Sequence, residues 1–309
     1  MAGQGNSLRA IFFALGANFS IFVAKLVAAL ITGSGAMLAE AVHSLADCGN
    51  QLLLLLGIRQ AKRPPSPDYP LGYGKAVYFW SFLVALMLFS VGGMFSLYEG
   101  IHKLSSDEPL KSPWIAVGVL AFGIIVESIS MRACMIEVNK ARGNRSLWQW
   151  FRQSRQAELV VIFGEDLAAL LGLTFALFAV GLAMWTGNPI WDAIGTLAIG
   201  ALLIIVAVFI SIEVKAMLIG QSVDSTIRSE MRAFLEQRAE IAEVYNLLTL
   251  QLGNDVMVSV KARMQESVSA LAMIGDINKV EREFRARFPA VRFSFFEPDN
   301  SDHEEKNPE

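Results

Sequence analysis

The sequence lacks the residues on which several classes of protein depend. Cysteine occurs twice among 309 residues, as Cys48 and Cys134, and the two positions form no CxxC pair. A disulfide framework and a zinc site built from thiolates are therefore excluded. The chain has no Gly-rich phosphate loop, GxSxG motif or HExxH motif, which argues against an ATP-driven pump or a hydrolase. A formal net charge of −3 is too small to indicate a nucleic acid partner.

Charged residues are also scarce, at 18% of the chain, whereas apolar residues make up 54%. A typical soluble domain has roughly 25% charged residues, so the composition indicates a membrane protein. Six apolar segments are long enough to cross a hydrocarbon core about 30 Å thick, and in lipid they must be helices. These predicted spans, numbered one to six, are residues 11–31, 36–58, 76–98, 114–131, 159–185 and 190–212.

The distribution of Lys and Arg predicts the orientation of these spans. Four such residues follow span two and six follow span four, whereas the loops on the opposite side are almost bare of them. Positive charge collects on the cytoplasmic side, so we expect both termini in the cytoplasm. Span one is too long for the apolar region of a signal peptide, and we expect it to stay in the protein.

The chain changes character near residue 220. Residues 225–238 have the pattern of an amphipathic helix, and a hairpin follows with its turn at Gly253 and Asn254. Helical spacing of apolar residues returns at 274–288, and residues 291–295 alternate as a third strand. We therefore predict a transmembrane domain at 1–219, a small cytoplasmic αββαβ domain at 220–298 and a disordered polar tail at 299–309.

Titratable side chains inside the spans are the strongest functional signal, because each costs roughly 2.5–3.5 kcal/mol to insert. In span two, His43 and Asp47 are four residues apart and share one helix face, and span five carries Glu165 and Asp166. Imidazole and carboxylate ligands fit Zn²⁺, and also Mn²⁺, Fe²⁺ or Co²⁺. We predict that these four residues form a divalent-metal site. The alternative is that they only hydrogen-bond or pair between helices.

Three further polar residues lie near this predicted site. Glu40 is on the same face of span two, and Lys25 in span one is a cation that could pair with it. For that reason we leave Glu40 out of the ligand set. Asn18 in span one could supply an amide oxygen, although Asn more often serves helix packing.

Together these features resemble the cation diffusion facilitator family over nearly the whole chain. The shared features are the six spans, His43-x-x-x-Asp47 in span two, Asp166 in span five and the αββαβ domain. Two sequence segments also agree with the family, SGAMLAEAVHSLAD at 34–47 and YPLGYGK at 69–75. The resemblance implies a homodimeric antiporter that exports Zn²⁺ or a similar ion in exchange for protons. It also implies that the cytoplasmic domain is the dimerisation domain.

The chain departs from the family pattern at several positions. Ile162 stands four residues before Asp166 where a ligand is usual, and Glu165-Asp166 resembles the branch with the mitochondrial zinc transporter and its bacterial relatives. The fourth ligand is therefore open between Glu165, a water molecule and Asn18. Some bacterial members bind metal through histidines after span two, where Tyr69 and Tyr73 stand here. They also bind zinc in the C-terminal domain through histidines and an aspartate, where this chain has Tyr245, Lys261, Phe296 and Pro298. We expect that domain to dimerise without bound zinc.

The sequence thus predicts a secondary transporter of divalent metal, not an enzyme, in the bacterial inner membrane. Its expected partners are the metal ion and protons as substrates, membrane lipid and a second copy of the chain, with no nucleic acid and no permanently bound cofactor. Two alternatives stay open. One is a cation channel or passive carrier, which the same acidic residues would serve. The other is a receptor or scaffold in which a metal ion only holds the helices together.

Overall fold

The computed structural model describes residues 4–105 and 111–302, without the side chains of residues 4–14, 16 and 17. The chain divides into two compact units, one of Met1–Arg59 with Val77–Lys215 and one of Gln60–Ala76 with Ala216–Glu309. The predicted boundary at 219/220 falls close to this division. The segment Gln60–Ala76 belongs to the second unit, which was not predicted from the sequence.

The first unit is helical. Its elements are α1 Gln4–Thr32, α2 Gly35–Ala61, α3 Ala76–Met87, a π-helical segment Leu88–Met94, α4 Phe95–Leu104, α5 Pro113–Arg142, α6 Leu147–Gln153, α7 Ala157–Thr186 and α8 Ile190–Ile219. Within the described residues, five helices are long and apolar enough to cross a membrane: α2, the continuous helix Ala76–Leu104, α5, α7 and α8. The predicted membrane fold is confirmed, with spans two to six in these five helices. Span one lies in α1, of which Asn18–Thr32 forms a shorter apolar helix.

Glycines allow the third span to lie against α8 near the π-helical segment. A β-carbon on Gly93 would lie 2.5 Å from Ile204 Cγ1, and one on Gly200 would lie 2.8 Å from the backbone nitrogen of Leu97. Real β-carbons do not approach other atoms so closely, so both helices need glycine at these points. Small residues at helix contacts in membranes serve such close packing.

Two features of the region after span four differ from the sequence prediction. The predicted span 114–131 is too short, because α5 continues to Arg142 and ends at Gly143, whose φ is +56°. A short helix that the sequence analysis missed, α6, then begins with a capping box: the Ser146 hydroxyl accepts from Gln149 N, and the Gln149 side chain accepts from Ser146 N. The helix is only seven residues long, which is too short for its apolar periodicity to stand out.

The second unit contains α9 Ser225–Glu236, β1 Ile241–Leu252, β2 Asp255–Met264, α10 Ala270–Arg287 and β3 Val291–Pro298. The predicted αββαβ order is confirmed. In the described chain the strands form one sheet in the order β1-β2-β3, antiparallel between β1 and β2 and parallel between β2 and β3. A parallel pair requires a crossover connection, which α10 supplies. Alternate residues of β2 are buried under the helices: Val256, Val258, Val260 and Ala262.

Both ends of this second unit pack on the sheet. A β-carbon on Gly74, in the YPLGYGK phrase, would overlap the carbonyl oxygen of Leu252 at the hairpin turn, so only glycine fits there. At the other end, Asp299 N donates to Ala262 O over 3.0 Å. The packed chain therefore extends one residue past the predicted boundary at 298. Of the predicted disordered tail, residues 303–309 lie outside the described residues.

Candidate metal site

A stripe of polar residues runs along one face of α2. Glu40, His43, Asp47 and Asn50 follow one another at intervals of three and four residues, which places them on one side of the helix. Glu40, His43 and Asn50 are fully buried, and the Asp47 side chain is 15% exposed. Small residues such as Ala39 and Ala46 let neighbouring helices approach α2 closely enough to enclose these polar groups.

His43 and Asp47 face each other across the stripe. His43 Nε2 lies 3.7 Å from Asp47 Oδ2, beyond hydrogen-bonding distance. Neither ring nitrogen of His43 nor Asp47 Oδ1 has a hydrogen-bond partner among the described residues. Buried polar atoms normally have partners. Two ligands of one tetrahedral zinc ion lie roughly 3.4 Å apart, so this pair is close to the spacing that would grip a single ion.

The π-helical segment of the third span lies beside the His43 ring. A β-carbon on Gly92 would be 3.9 Å from His43 Nδ1. Because Gly92 has no side chain, the backbone of the π-helical segment can lie next to the His43 imidazole. A larger side chain at this position would fill the space between them. Single-turn π-helical segments inside α-helices are frequent at functional sites. No role for this span was predicted from the sequence.

The two acidic residues of α7 turn toward different helices. Asn50 Nδ2 of α2 donates to Glu165 Oε1 over 2.5 Å, and Glu165 is buried. Asp166 is half-buried and accepts from Ser130 Oγ of α5 over 3.2 Å. Adjacent residues of a helix point about 100° apart, and the two carboxylates accordingly have partners on different helices. In this conformation Glu165 faces α2.

A further carboxylate, Glu127, belongs to this region. Asp47, Glu127, Glu165 and Asp166 lie close enough to repel one another electrostatically. Glu127 lies well inside α5, which extends beyond the predicted span 114–131 and continues for fifteen residues after Glu127 to Arg142. Asn50 was not among the predicted site residues. The signal for Asn50 was its position three residues after Asp47, on the face that already carries three titratable groups.

The predicted ligands therefore occur as two pairs, His43 with Asp47 on α2 and Glu165 with Asp166 on α7. Among the residues that the structure describes, no three His, Cys, Asp or Glu side chains stand close enough together to hold a metal ion. The assignment of all four as ligands stays a prediction. A shared ion would require the Asp166 side chain to leave Ser130, or the Glu165 side chain to leave Asn50, and turn toward the His43–Asp47 pair.

Lys25 of α1 is buried beside the stripe. Its ammonium group donates to Glu40 Oε2 over 3.1 Å and to Ser44 Oγ over 2.8 Å. The predicted pairing of Lys25 with Glu40 is confirmed, and the ammonium hydrogen-bonds to Glu40 rather than to Asp47. Asn18, the third polar residue near the predicted site, is half-buried in α1.

Asp192 of α8 holds the beginning of α2. Its carboxylate accepts from Ser34 Oγ over 2.5 Å, from Gly35 N over 2.6 Å and from Ala36 N over 3.4 Å. The first amides of a helix have no partner within the helix, and here a carboxylate from another helix satisfies two of them. The helix that carries His43 and Asp47 is thus anchored to α8 at this end.

In the second unit, one position aligned with family zinc ligands holds a lysine in an ion pair. Lys261 Nζ lies 3.0 Å from Asp299 Oδ2 and 3.7 Å from Glu297 Oε1. The hydrogen bond from Lys261 holds the pKa of the Asp299 carboxyl below its usual value of 3.8. An ammonium group already supplies positive charge to these two acids.

The chain is similar in sequence to a known protein family and to several known proteins. Residues 11–219 match the family model of the cation efflux transmembrane domain. The chain is 33% identical over 255 residues, 82% of its length, to the proton-coupled zinc antiporter SLC30A9, mitochondrial, of Xenopus laevis. It is 30% identical over 80% of its length to metal tolerance protein C4 of Arabidopsis thaliana, and 25% identical over 87% to the cation-efflux pump FieF of Shigella flexneri.

The lengths of these relatives differ. The chain spans 45% of the length of the Xenopus protein, 55% of the Arabidopsis protein and 85% of the Shigella protein. The matches to the first two relatives therefore cover part of longer proteins.

Proposed function

We propose that this chain, which belongs to the cation efflux (cation diffusion facilitator) family of membrane transporters, moves a divalent transition-metal ion across a membrane in exchange for protons. Zn²⁺ is the first candidate, because the Xenopus relative is named a proton-coupled zinc antiporter. Mn²⁺, Fe²⁺ and Co²⁺ bind the same imidazole and carboxylate groups. The observation that carries the proposal is the His43–Asp47 pair, in which both ring nitrogens of His43 and Oδ1 of Asp47 have no hydrogen-bond partner in the described chain.

The α7 acids complete the site in this proposal. A divalent ion held by His43 and Asp47 would be attracted by Glu165 and Asp166, and it would relieve the repulsion among the carboxylates. Metal ions are transported here as substrate, so the ligands must also release them. We assign Asp166 as the third ligand, and Glu165 as the fourth ligand or as the group that orients α7 through Asn50.

Protons and metal compete for the same atoms. An imidazole nitrogen binds a metal ion only when it carries no proton, and histidine exchanges protons readily near neutral pH. Metal binding at His43 would therefore release a proton, and protonation would release the metal. Alternate exposure of the site to the two sides of the membrane, by rocking of helices, would convert this competition into exchange.

The proposal extends to location and assembly. The excess of Lys and Arg after spans two and four supports cytoplasmic termini, and the Shigella cation-efflux pump supports a bacterial plasma membrane. In that orientation the exchange would export metal from the cytoplasm. The second unit would join two copies of the chain by packing of its αββαβ domain.

Flux in reconstituted vesicles tests the proposal. Vesicles with purified protein, a zinc-sensitive dye and a pH-sensitive dye should show zinc movement coupled to proton movement in the opposite direction. His43→Ala should abolish both signals. The matched control is His102→Ala, an exposed histidine of α4, which should transport normally.

Three other results would overturn the proposal in different ways. Normal flux in His43→Ala would remove the site. Zinc flux that persists without a proton gradient and increases with membrane potential would indicate a channel or passive carrier. Tight zinc retention without turnover would indicate that the metal only holds the helices together.

A further inference from the structure

The ammonium group of Lys25 is buried within the membrane-spanning unit. Its side chain is 1% exposed, and that of its partner Glu40 is fully buried. Lysine usually reaches toward water along its flexible stem, but Lys25 instead points inward, to Glu40 and Ser44 of α2. A buried ion pair is weak evidence for stability, because removing two charges from water is costly. The pair therefore calls for another explanation.

Lys25 and Glu40 lie among four helices. Lys25 comes from α1 and Glu40 from α2. Gly172 of α7 lies so close to Glu40 that a β-carbon there would collide with Oε1, and a β-carbon on Gly123 of α5 would lie 3.8 Å from Lys25 Cε. Gly172 leaves space that the Glu40 carboxylate occupies, and a β-carbon on Gly123 would be at ordinary contact distance from the Lys25 stem. The pair thus fills a point where these four helices come together.

The ion pair also lies directly next to the candidate metal site along α2. Glu40 precedes His43 by three residues, and Ser44 follows His43. Lys25 interacts electrostatically with both His43 and Asp47. One oxygen of Glu40, Oε1, has no hydrogen-bond partner in the described chain. Glu40 is therefore a carboxylate only partly satisfied by Lys25, one helical turn from the proposed ion toward the Gly35 end of α2.

We propose that Lys25 is a gating residue of the transport path, a tethered cation that bars the Gly35 side of the site to the metal ion. This inference rests on the proposed function. An ion that leaves His43 and Asp47 toward the Gly35 end of α2 meets Glu40 next, since that carboxylate is the following group on the polar face. The ammonium already occupies one oxygen of Glu40 and repels a second cation. The path opens on this side only when helix movement separates α1 from α2.

A purely structural role for the pair makes a different prediction, and a double variant separates the two. Either single neutral variant would leave one buried charge without its partner and destabilise the protein. Lys25→Met with Glu40→Gln removes both charges while keeping the side chains similar in size. If the pair only joins helices, this double variant should transport like the wild type. If Lys25 is a gate, the double variant should fold but let zinc leak across the membrane.

The experiment measures zinc and proton movement together in reconstituted vesicles. Wild-type protein should exchange the two ions and hold a zinc gradient when no pH gradient is present. The double variant should release zinc severalfold faster than the wild type without a pH gradient, with little accompanying proton movement. Ser128→Ala is the control for reconstitution, because Ser128 is exposed and its hydroxyl bonds to Ile124 O of its own helix.

A second double variant, Lys25→Gln with Glu40→Gln, guards against misfolding of the first. Two amides can hydrogen-bond to each other without charge, and this variant should leak in the same way. A double variant that folds, holds its zinc gradient and exchanges zinc for protons like the wild type would overturn the gating role of Lys25. The proposed transport function would then still stand. If the wild type moves neither Zn²⁺ nor Mn²⁺, Fe²⁺ or Co²⁺, the proposed function is overturned and, with it, this inference.

Discussion

The side-chain amide of Asn50 in α2 donates to the carboxylate of Glu165 in α7 over 2.5 Å, with both residues buried. This bond joins the two helices that carry the candidate ligands. It also gives the two neighbouring acids of α7 different surroundings, because Asp166 bonds to Ser130 of α5 instead. The Glu165 carboxylate, held by the amide of Asn50, is suited to orienting α7. Asp166 needs to break only its hydrogen bond with the Ser130 hydroxyl in order to bind a metal ion.

Replacing the two acids should therefore have unequal effects on transport. Glu165→Gln keeps an oxygen that can accept from Asn50, so we expect reduced but measurable zinc flux in vesicles. Asp166→Asn should nearly abolish flux, because it removes the charge of a proposed ligand. Equal and complete loss in both variants would show that Glu165 binds the metal directly.

The anchoring of α2 by Asp192 predicts a local loss of stability. Asp192→Ala removes the acceptor for the amides of Gly35 and Ala36, at a cost of about 0.5–2 kcal/mol by analogy with helix caps. Hydrogen exchange should become faster at the first turn of α2. Ser34→Ala removes another donor to the same carboxylate. Combined with Asp192→Ala, it should destabilise the protein by less than it does alone. Unchanged exchange at residues 35–38 would show that the bonds contribute nothing to the helix end.

Two glycines of α7 offer a matched test of the space around Glu40. Gly172→Ala should displace the Glu40 carboxylate and lower the thermal midpoint of the purified protein, because its β-carbon would overlap Oε1. Gly181→Ala meets no atom within 4 Å among the described residues and should be neutral or stabilising by up to about 1 kcal/mol, since alanine favours helix. Equal midpoints for the two variants would contradict the packing of Glu40 against α7.

The ion pair between Lys261 and Asp299 predicts a pH dependence in the second unit. Because the pKa of Asp299 is lower in the folded protein, its stabilising contribution is present above about pH 3.8 and is lost as the pH falls through the folded value. Pulsed hydrogen exchange of β3, after incubation at a series of pH values, should show protection decreasing in that acid range. Lys261→Met should remove this component, and a profile identical to the wild type would contradict the pairing.

Much of this fold could be predicted because the membrane restricts the possibilities. A long apolar run must be a helix, so spans two to six correspond to helices at nearly the predicted places. The αββαβ order followed from alternation in β2 and from helical spacing in α10. The end of α5 was missed because its last eleven residues are polar enough to resemble a loop, and α6 because it is only one to two turns long.

The candidate site shows where sequence reasoning reaches its limit. Spacing along one helix is local, so it predicts correctly that His43 and Asp47 face each other and that Glu40 lies on the same side. Which α7 acid turns toward α2 depends on helix rotation and on partners in other helices, namely Asn50 and Ser130. Nothing in a single sequence fixes that rotation. The π-helical segment beside His43 is unpredictable for the same reason.

In the proposed mechanism, His43 and Asp47 bind the metal ion that is transported. Zinc K-edge X-ray absorption of the purified, zinc-loaded protein is the decisive test, because the spectrum separates sulfur ligands from nitrogen or oxygen ligands and detects imidazole through scattering from its outer ring atoms. We predict nitrogen and oxygen at about 2.0–2.2 Å, with an imidazole signal that disappears in His43→Ala. An imidazole signal that is unchanged in that variant, or a sulfur shell at about 2.3 Å from Cys48 or Cys134, would contradict the claim.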